Sequence, residues 1–129
     1  MLGRGDRTSN VLATENEASY GAAIGVFEGG NPTFNTGLVK SNKALLWGAG
    51  VIVYTSANAH FEAMTFESNE AEIGGGVLLY SQSTASMSNS RVLSNVVTKY
   101  GGGIRLNDRA TLSITNTRVS NNVAVLGGD

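Results

Sequence analysis

Cysteine is absent from the 129 residues, which excludes disulfide staples and thiolate metal sites alike. Proline occurs once, and charged side chains make up only 15% of the chain, well under the usual quarter or so. With a net charge of −1 and a pI near 5.8, there is no electrostatic case for nucleic acid or an anionic membrane as a partner. No apolar run approaches the roughly 20 residues of a membrane span, so insertion of this chain into a bilayer is not expected. The opening "MLGRGDRTSN" lacks the apolar core of a secretory leader, so no targeting signal is expected within the chain. Glycine is plentiful instead, at 17 residues. Together with much Ser and Asn and short aliphatic runs, it points to an all-β chain with many tight turns. The length suits one domain, residues 1–129.

The glycines recur. Aligned runs read "YGAAIGVF" from Tyr20, "WGAGVIVY" from Trp47, "IGGGVLLY" from Ile73 and "YGGGIRLN" from Tyr100, with a cut-off "LGGD" from Leu126. Their starts lie 27, 26, 27 and 26 residues apart. A second marker keeps step: Asn16, Asn42, Asn69, Asn95 and Asn122 are spaced 26, 27, 26 and 27. All the variation in length falls in the four or five residues after each Asn. Between the markers, apolar residues stand in columns. Ile24, Val51, Val77 and Ile104 form one, and Val26, Val53, Leu79 and Leu106 a second. Phe34, Phe61, Met87 and Ile114 form a third. Ala13, Val39, Phe66, Val92 and Val119 form another, and Ala18, Ala44, Ala71, Val97 and Ala124 the last. They alternate with polar positions over short segments, so each segment is a strand with one face inward.

A unit of this length, with several short strands and Gly- and Asn-rich turns, predicts a right-handed parallel β-helix, a solenoid of nearly five coils. The fixed leucine spacing of a leucine-rich repeat is missing, and no segment keeps helical periodicity. The predicted coils are 20–46, 47–72, 73–99 and 100–125. Residues 1–19 form a first partial coil or cap, and 126–129 start a truncated one. Stacked coils lie roughly 4.8 Å apart, and each large inward side chain is worth roughly 1.5–3 kcal/mol when its neighbours cover it. The Gly runs are expected where backbones stack closely and φ turns positive. The Ser-Asn pairs (Ser41-Asn42, Ser68-Asn69, Ser94-Asn95) and Asn121-Asn122 mark a second turn. There Asn is expected to take left-handed geometry and to bond the Asn above and below as a structural ladder. A weaker polar column holds Asn10, Asn89 and Asn116.

The Gly runs paired with a later F-x-x-N, here Phe66-Glu67-Ser68-Asn69, resemble the GGAI and FxxN repeats of the polymorphic outer-membrane protein family. More broadly they are similar to the β-helices of autotransporter passenger domains. The resemblance implies right-handedness and an adhesive or structural role outside the cell or at its surface. Only one coil carries the Phe; Val39, Val92 and Val119 stand in its place elsewhere, and the first run reads "GAAI".

No catalytic residue, cofactor or metal site is expected. Carbohydrate-processing β-helices place Asp pairs with Arg or Lys on an outward strand face. The outward positions of the first strand here are Gly25, Ile52, Leu78 and Arg105, then Phe27, Tyr54, Tyr80 and Asn107, with no acid pair for general acid–base work. Glu15, Glu17, Glu70 and Glu72 flank the marker Asn as a solvated turn; calcium among them is the other reading. His60, the one histidine, has no partner for a metal site. The Gly runs lack the Lys-Ser/Thr and following helix of a phosphate loop. Arg4-Gly5-Asp6 spells an integrin-type triplet, which is common by chance. Phe27, Ile52, Tyr54, Leu78 and Tyr80 form an outward apolar row and the candidate interface; a glycan or other cell-surface ligand could stack there. By register, Met1 falls with Phe27 and Asp129 with Gly103. Open solenoid ends need capping or pairing, so two kinds of partner are expected: further copies stacked end to end, which would build filaments, or neighbouring coils of a longer chain. The expectation is a non-enzymatic structural or adhesive module, with a carbohydrate-binding or carbohydrate-processing β-helix as the alternative.

Overall fold

Short alternating runs, each broken by a residue in left-handed geometry, dictate a chain that turns several times per repeat and returns above its starting point. The computed structural model describes residues 4–21 and 23–126, with side chains described from Ser9 onward apart from Ala22. The first circuit holds β1 (Arg4–Thr14), β2 (Glu17–Tyr20) and β3 (Ile24–Val26). The second holds β4 (Asn31–Lys40), β5 (Lys43–Trp47) and β6 (Val51–Val53), and the third β7 (Asn58–Glu67), β8 (Glu70–Ile73) and β9 (Val77–Leu79). In the fourth the long strand is divided into β10 (Thr84–Ser88) and β11 (Arg91–Leu93), followed by β12 (Val96–Tyr100) and β13 (Ile104–Leu106). β14 (Thr111–Thr115), β15 (Arg118–Ser120) and β16 (Val123–Ala124) complete the described chain.

All strand pairs are parallel and join equivalent positions of adjacent coils. Three walls result. The first wall runs β1-β4-β7-β10-β14, with β11 and β15 continuing it; the second runs β2-β5-β8-β12-β16 and the third β3-β6-β9-β13. Among the described residues two walls therefore have five rungs and the third has four, making about four turns. Met1, Gly127, Gly128 and Asp129, on which the register at the chain ends was read, lie outside the described residues. Arg4, Gly5 and Asp6 lie in the backbone of β1.

The expected columns are the observed register. Phe34 pairs with Phe61, Phe61 with Met87, and Met87 with Ile114. Val39, Phe66, Val92 and Val119 stack likewise. The Phe34 and Phe61 rings lie 5.3 Å apart and nearly parallel, while Phe66 meets Phe61 edge-on at 5.4 Å. These columns form one continuous core. A narrower strip of Ala44, Ala49, Ala71 and Val97 fills the space under the second wall. Burial depends on a neighbour above and below: Phe61 is 1% exposed, whereas Ile114, in the same column on the last rung, is 46% exposed.

Left-handed residues make the corners. Asn10, Thr36, Ala63, Asn89 and Asn116 share positive φ and bend the first wall in every coil. The second corner corrects the expectation. Glu15, Ser41, Ser68, Ser94 and Asn121 take positive φ, whereas the marker Asn that follows each of them does not. The geometry releases the marker side chain to turn inward.

Since neighbours supply the burial, Phe61→Ala is expected to lower stability by about 3–5 kcal/mol. Ile114→Ala, at the open rung, should cost less than half of that. Urea denaturation followed by circular dichroism checks the difference; equal losses would refute stack-dependent burial.

The candidate functional site: an inner ladder and an outer aromatic trough

A buried amide has two acceptor sites and two donor hydrogens to satisfy. In the wall of this solenoid the adjacent coils satisfy all four. The Nδ2 of Asn42 donates to Oδ1 of Asn69 at 2.9 Å and to the Ala13 carbonyl at 3.0 Å. Asn69 donates likewise to Asn95 (2.9 Å) and the Val39 carbonyl (3.0 Å), and Asn95 to Asn122 (2.9 Å) and the Phe66 carbonyl (3.1 Å). Asn16 starts the series, giving its Nδ2 hydrogen to Asn42 at 2.8 Å. The backbone N–H of each of these four residues also donates to the next Oδ1, at 2.9–3.1 Å. Asn42, Asn69, Asn95 and Asn122 are buried.

The Gly runs serve this ladder in two ways. The first glycine of each run, at 21, 48, 74 and 101, has φ between +56° and +71°, a region that costs a side chain energy. The third is a matter of room. A Cβ on Gly76 would lie 2.6 Å from the Gly103 carbonyl oxygen and 2.8 Å from the Asn95 Nδ2. A Cβ on Gly103 would lie 2.7 Å from the Asn122 Nδ2. Only glycine lets the amide and the passing backbone share that space.

On the outside of the third wall, Phe27, Tyr54 and Tyr80 occupy successive rungs. Phe27 meets Tyr54 edge-on with centroids 4.5 Å apart, and Tyr54 lies 6.5 Å from Tyr80. Ile52 and Leu78, expected beside them on an exposed face, are buried at 3% and 1%. This corrects the outward reading. The third-wall strands are only three residues long, so bulky side chains at both flanking corners close over the residue between them. The flanking column is Tyr20, Trp47, Ile73 and Tyr100, paired rung by rung. Trp47 ties the two columns together, 5.4 Å from Tyr80 and 5.7 Å from Tyr20. Sequence reasoning missed this column, although each member is the residue that opens a Gly run. At the fourth rung Arg105 replaces the aliphatic residue and lays its guanidinium 5.1 Å from the Tyr100 ring centre, a cation–π contact.

What stays open is a trough of about 350 Å³ lined by Tyr20, Phe27, Trp47, Ile52, Tyr54 and Tyr80. Gly25 adjoins it; a Cβ there would lie 2.6 Å from the Phe27 ring, so the absent side chain lets that ring lean across the rung. The trough holds no carboxylate, imidazole or amine. It can bind an apolar or stacking surface and offer tyrosine hydroxyls, but it carries no acid–base pair.

The other candidate groups stand apart. His60 sits on the first wall, Nδ1 2.7 Å from the Ser86 Oγ and Nε2 3.1 Å from the Asn31 Oδ1. The adjacent backbone amides belong to strands of the parallel ladder, which leaves none free as an oxyanion hole. Lys43 stands in register between Glu17 and Glu70, separating those two acids. Glu72 pairs with Lys99 at 2.8 Å and holds that ammonium above its ordinary pKa. Among the described residues no three His, Asp or Glu side chains gather as a metal centre would need.

Against the known families, residues 4–128 match the model for the right handed beta helix region. The chain belongs to the right-handed β-helix family. Searches of curated proteins and of solved structures returned no match. As a right-handed β-helix the chain shares a fold on which both lyases and non-enzymes are built, so its surface chemistry carries the functional argument.

Three substitutions probe the ladder and the glycine packed against it. Asn69→Ala takes one donor each from the Asn95 Oδ1 and the Val39 carbonyl and removes the acceptor of two Asn42 donors, and is expected to cost roughly 3 kcal/mol or more. Asn16→Ala, at the edge, should cost about 1 kcal/mol. Gly76→Ala should lose roughly 1–3 kcal/mol by overpacking alone. Thermal and urea unfolding of the three variants measures the order; Asn16→Ala as damaging as Asn69→Ala would break the account.

Proposed function

We propose that this β-helix is a non-enzymatic structural or adhesive module, acting outside the cell or at its surface as one segment of a longer stacked solenoid. One observation carries the reading. The inward columns that are sealed in the middle coils stand open at the last rung, where Leu106, Ile114 and Val119 are 44%, 46% and 46% exposed. Apolar surface of that kind on a soluble chain usually marks a contact. The absence of an acid pair beside the aromatic trough favours binding or scaffolding over glycan cleavage. The resemblance of Phe66-Glu67-Ser68-Asn69 and the Gly runs to outer-membrane protein repeats supports the surface location.

A second reading follows from the trough. Its Tyr20, Tyr54 and Tyr80 rings with Trp47 offer apolar faces and hydroxyls to a carbohydrate, a pairing that sugars favour. The rings meet one another edge-on or tilted, which limits flat stacking and makes this the lesser reading.

The two readings separate experimentally. A stacking module sediments as concentration-dependent oligomers, and negative-stain images show rods longer than one chain. Tyr80→Ala leaves that behaviour unchanged. A glycan binder stays monomeric, retains ligands on a glycan array, and loses at least about tenfold in affinity in Tyr80→Ala, the cost of one stacking contact. Monomers that bind no glycan would overturn both.

A further inference from the structure

The asparagine ladder has a direction. At every interior step the lower Asn donates through its backbone N–H and Nδ2, and the upper Asn accepts through Oδ1. The two ends of the described solenoid are therefore chemically different. At the last rung, Asn122 gives one Nδ2 hydrogen to the Val92 carbonyl. Its backbone N–H and second amide hydrogen have no acceptor among the described residues. At the first rung, the Asn16 Oδ1 accepts nothing among the described residues, although its counterparts in the next four rungs each accept two hydrogen bonds.

The backbone repeats the pattern. The amides of Lys43, Glu70, Val96 and Val123 donate to the marker carbonyls of Asn16, Asn42, Asn69 and Asn95. Continued by one step, the Asn122 carbonyl requires the amide that Glu17 carries at the first rung. Size fits in the same sense. The last-rung Val119 occupies the column in which the first rung places the smaller Ala13.

From these ends we infer that a second copy of this chain docks head to tail, its first rung seated on the last rung of its neighbour with Asn122 donating to Asn16. The inference rests on the stacking function proposed above and adds to it the polarity of the joint. A symmetric pair would leave the ladder unbonded. Two last rungs face to face would set the Asn122 donors against each other, and two first rungs the Asn16 Oδ1 acceptors. The contact is thus heterologous and does not close on itself.

End-specific charges test the polarity. Ala13→Lys blocks the first rung and Val119→Lys the last, with Ala18→Lys and Ile114→Lys as alternates should either fail to fold by circular dichroism. Analytical ultracentrifugation of the full chain provides the readout. Each blocked variant alone should be monomeric, its self-association weakened by roughly 100-fold or more, as expected for an unpaired charge in an apolar contact. An equimolar mixture should form a one-to-one dimer that grows no further. If one blocked variant still dimerises alone, or the mixture fails to pair while the unmodified chain assembles, the head-to-tail joint is wrong but stacking stands. An unmodified chain that is monomeric at every concentration would instead remove the stacking function itself.

Discussion

A side-chain amide buried in a protein wall must find partners for four hydrogen-bonding positions or forfeit a large part of its solvation. Here the partners are the amide and backbone N–H of the same residue one coil away and a carbonyl of the coil before it. That single requirement fixes the vertical register of the solenoid. A coil slipped by one residue would bring the wrong face of each strand inward and would also strand the amides of both neighbours. Hydrophobic columns supply most of the driving force, but they would tolerate sliding among Val, Leu, Phe and Met. The ladder does not tolerate it.

The glycines and left-handed corners follow from the ladder. For Asn to point inward just after a corner, the residue before it takes positive φ, and Ser, Glu or Asn serves there because the site is exposed or half-buried. For the amide to fit beneath the passing backbone, the third residue of the Gly run must lack a side chain in the well-packed coils. Entropy lost at the glycines is offset by amides that are fully bonded.

Much of this was legible in the chain itself, because a repeat turns one-dimensional spacing into stacking. The columns from Phe34 to Ile114 and from Ala13 to Val119 could be written down from counting alone. What counting could not supply was direction and reach. The left-handed residue proved to be the neighbour of the marker Asn, since a pair such as Ser68-Asn69 does not reveal which member bends. Ile52 and Leu78 alternate outward as expected, yet they are covered. Alternation describes where a side chain leaves the strand and says nothing about long residues, here Tyr20 and Trp47, that fold back from a corner. The trough exists because of that reach.

The second wall departs from strict repetition. Its pairings skip between Ala18 and Tyr20, between Lys43 and Trp47, and between Val97 and Tyr100, and these bulges absorb the alternation between 26- and 27-residue coils. Neither the inner amides before it nor the Gly run after it moves. This side of the rod thus works as an expansion seam, the natural place for a loop to grow or a foreign peptide to be grafted while the remaining circumference keeps its pitch.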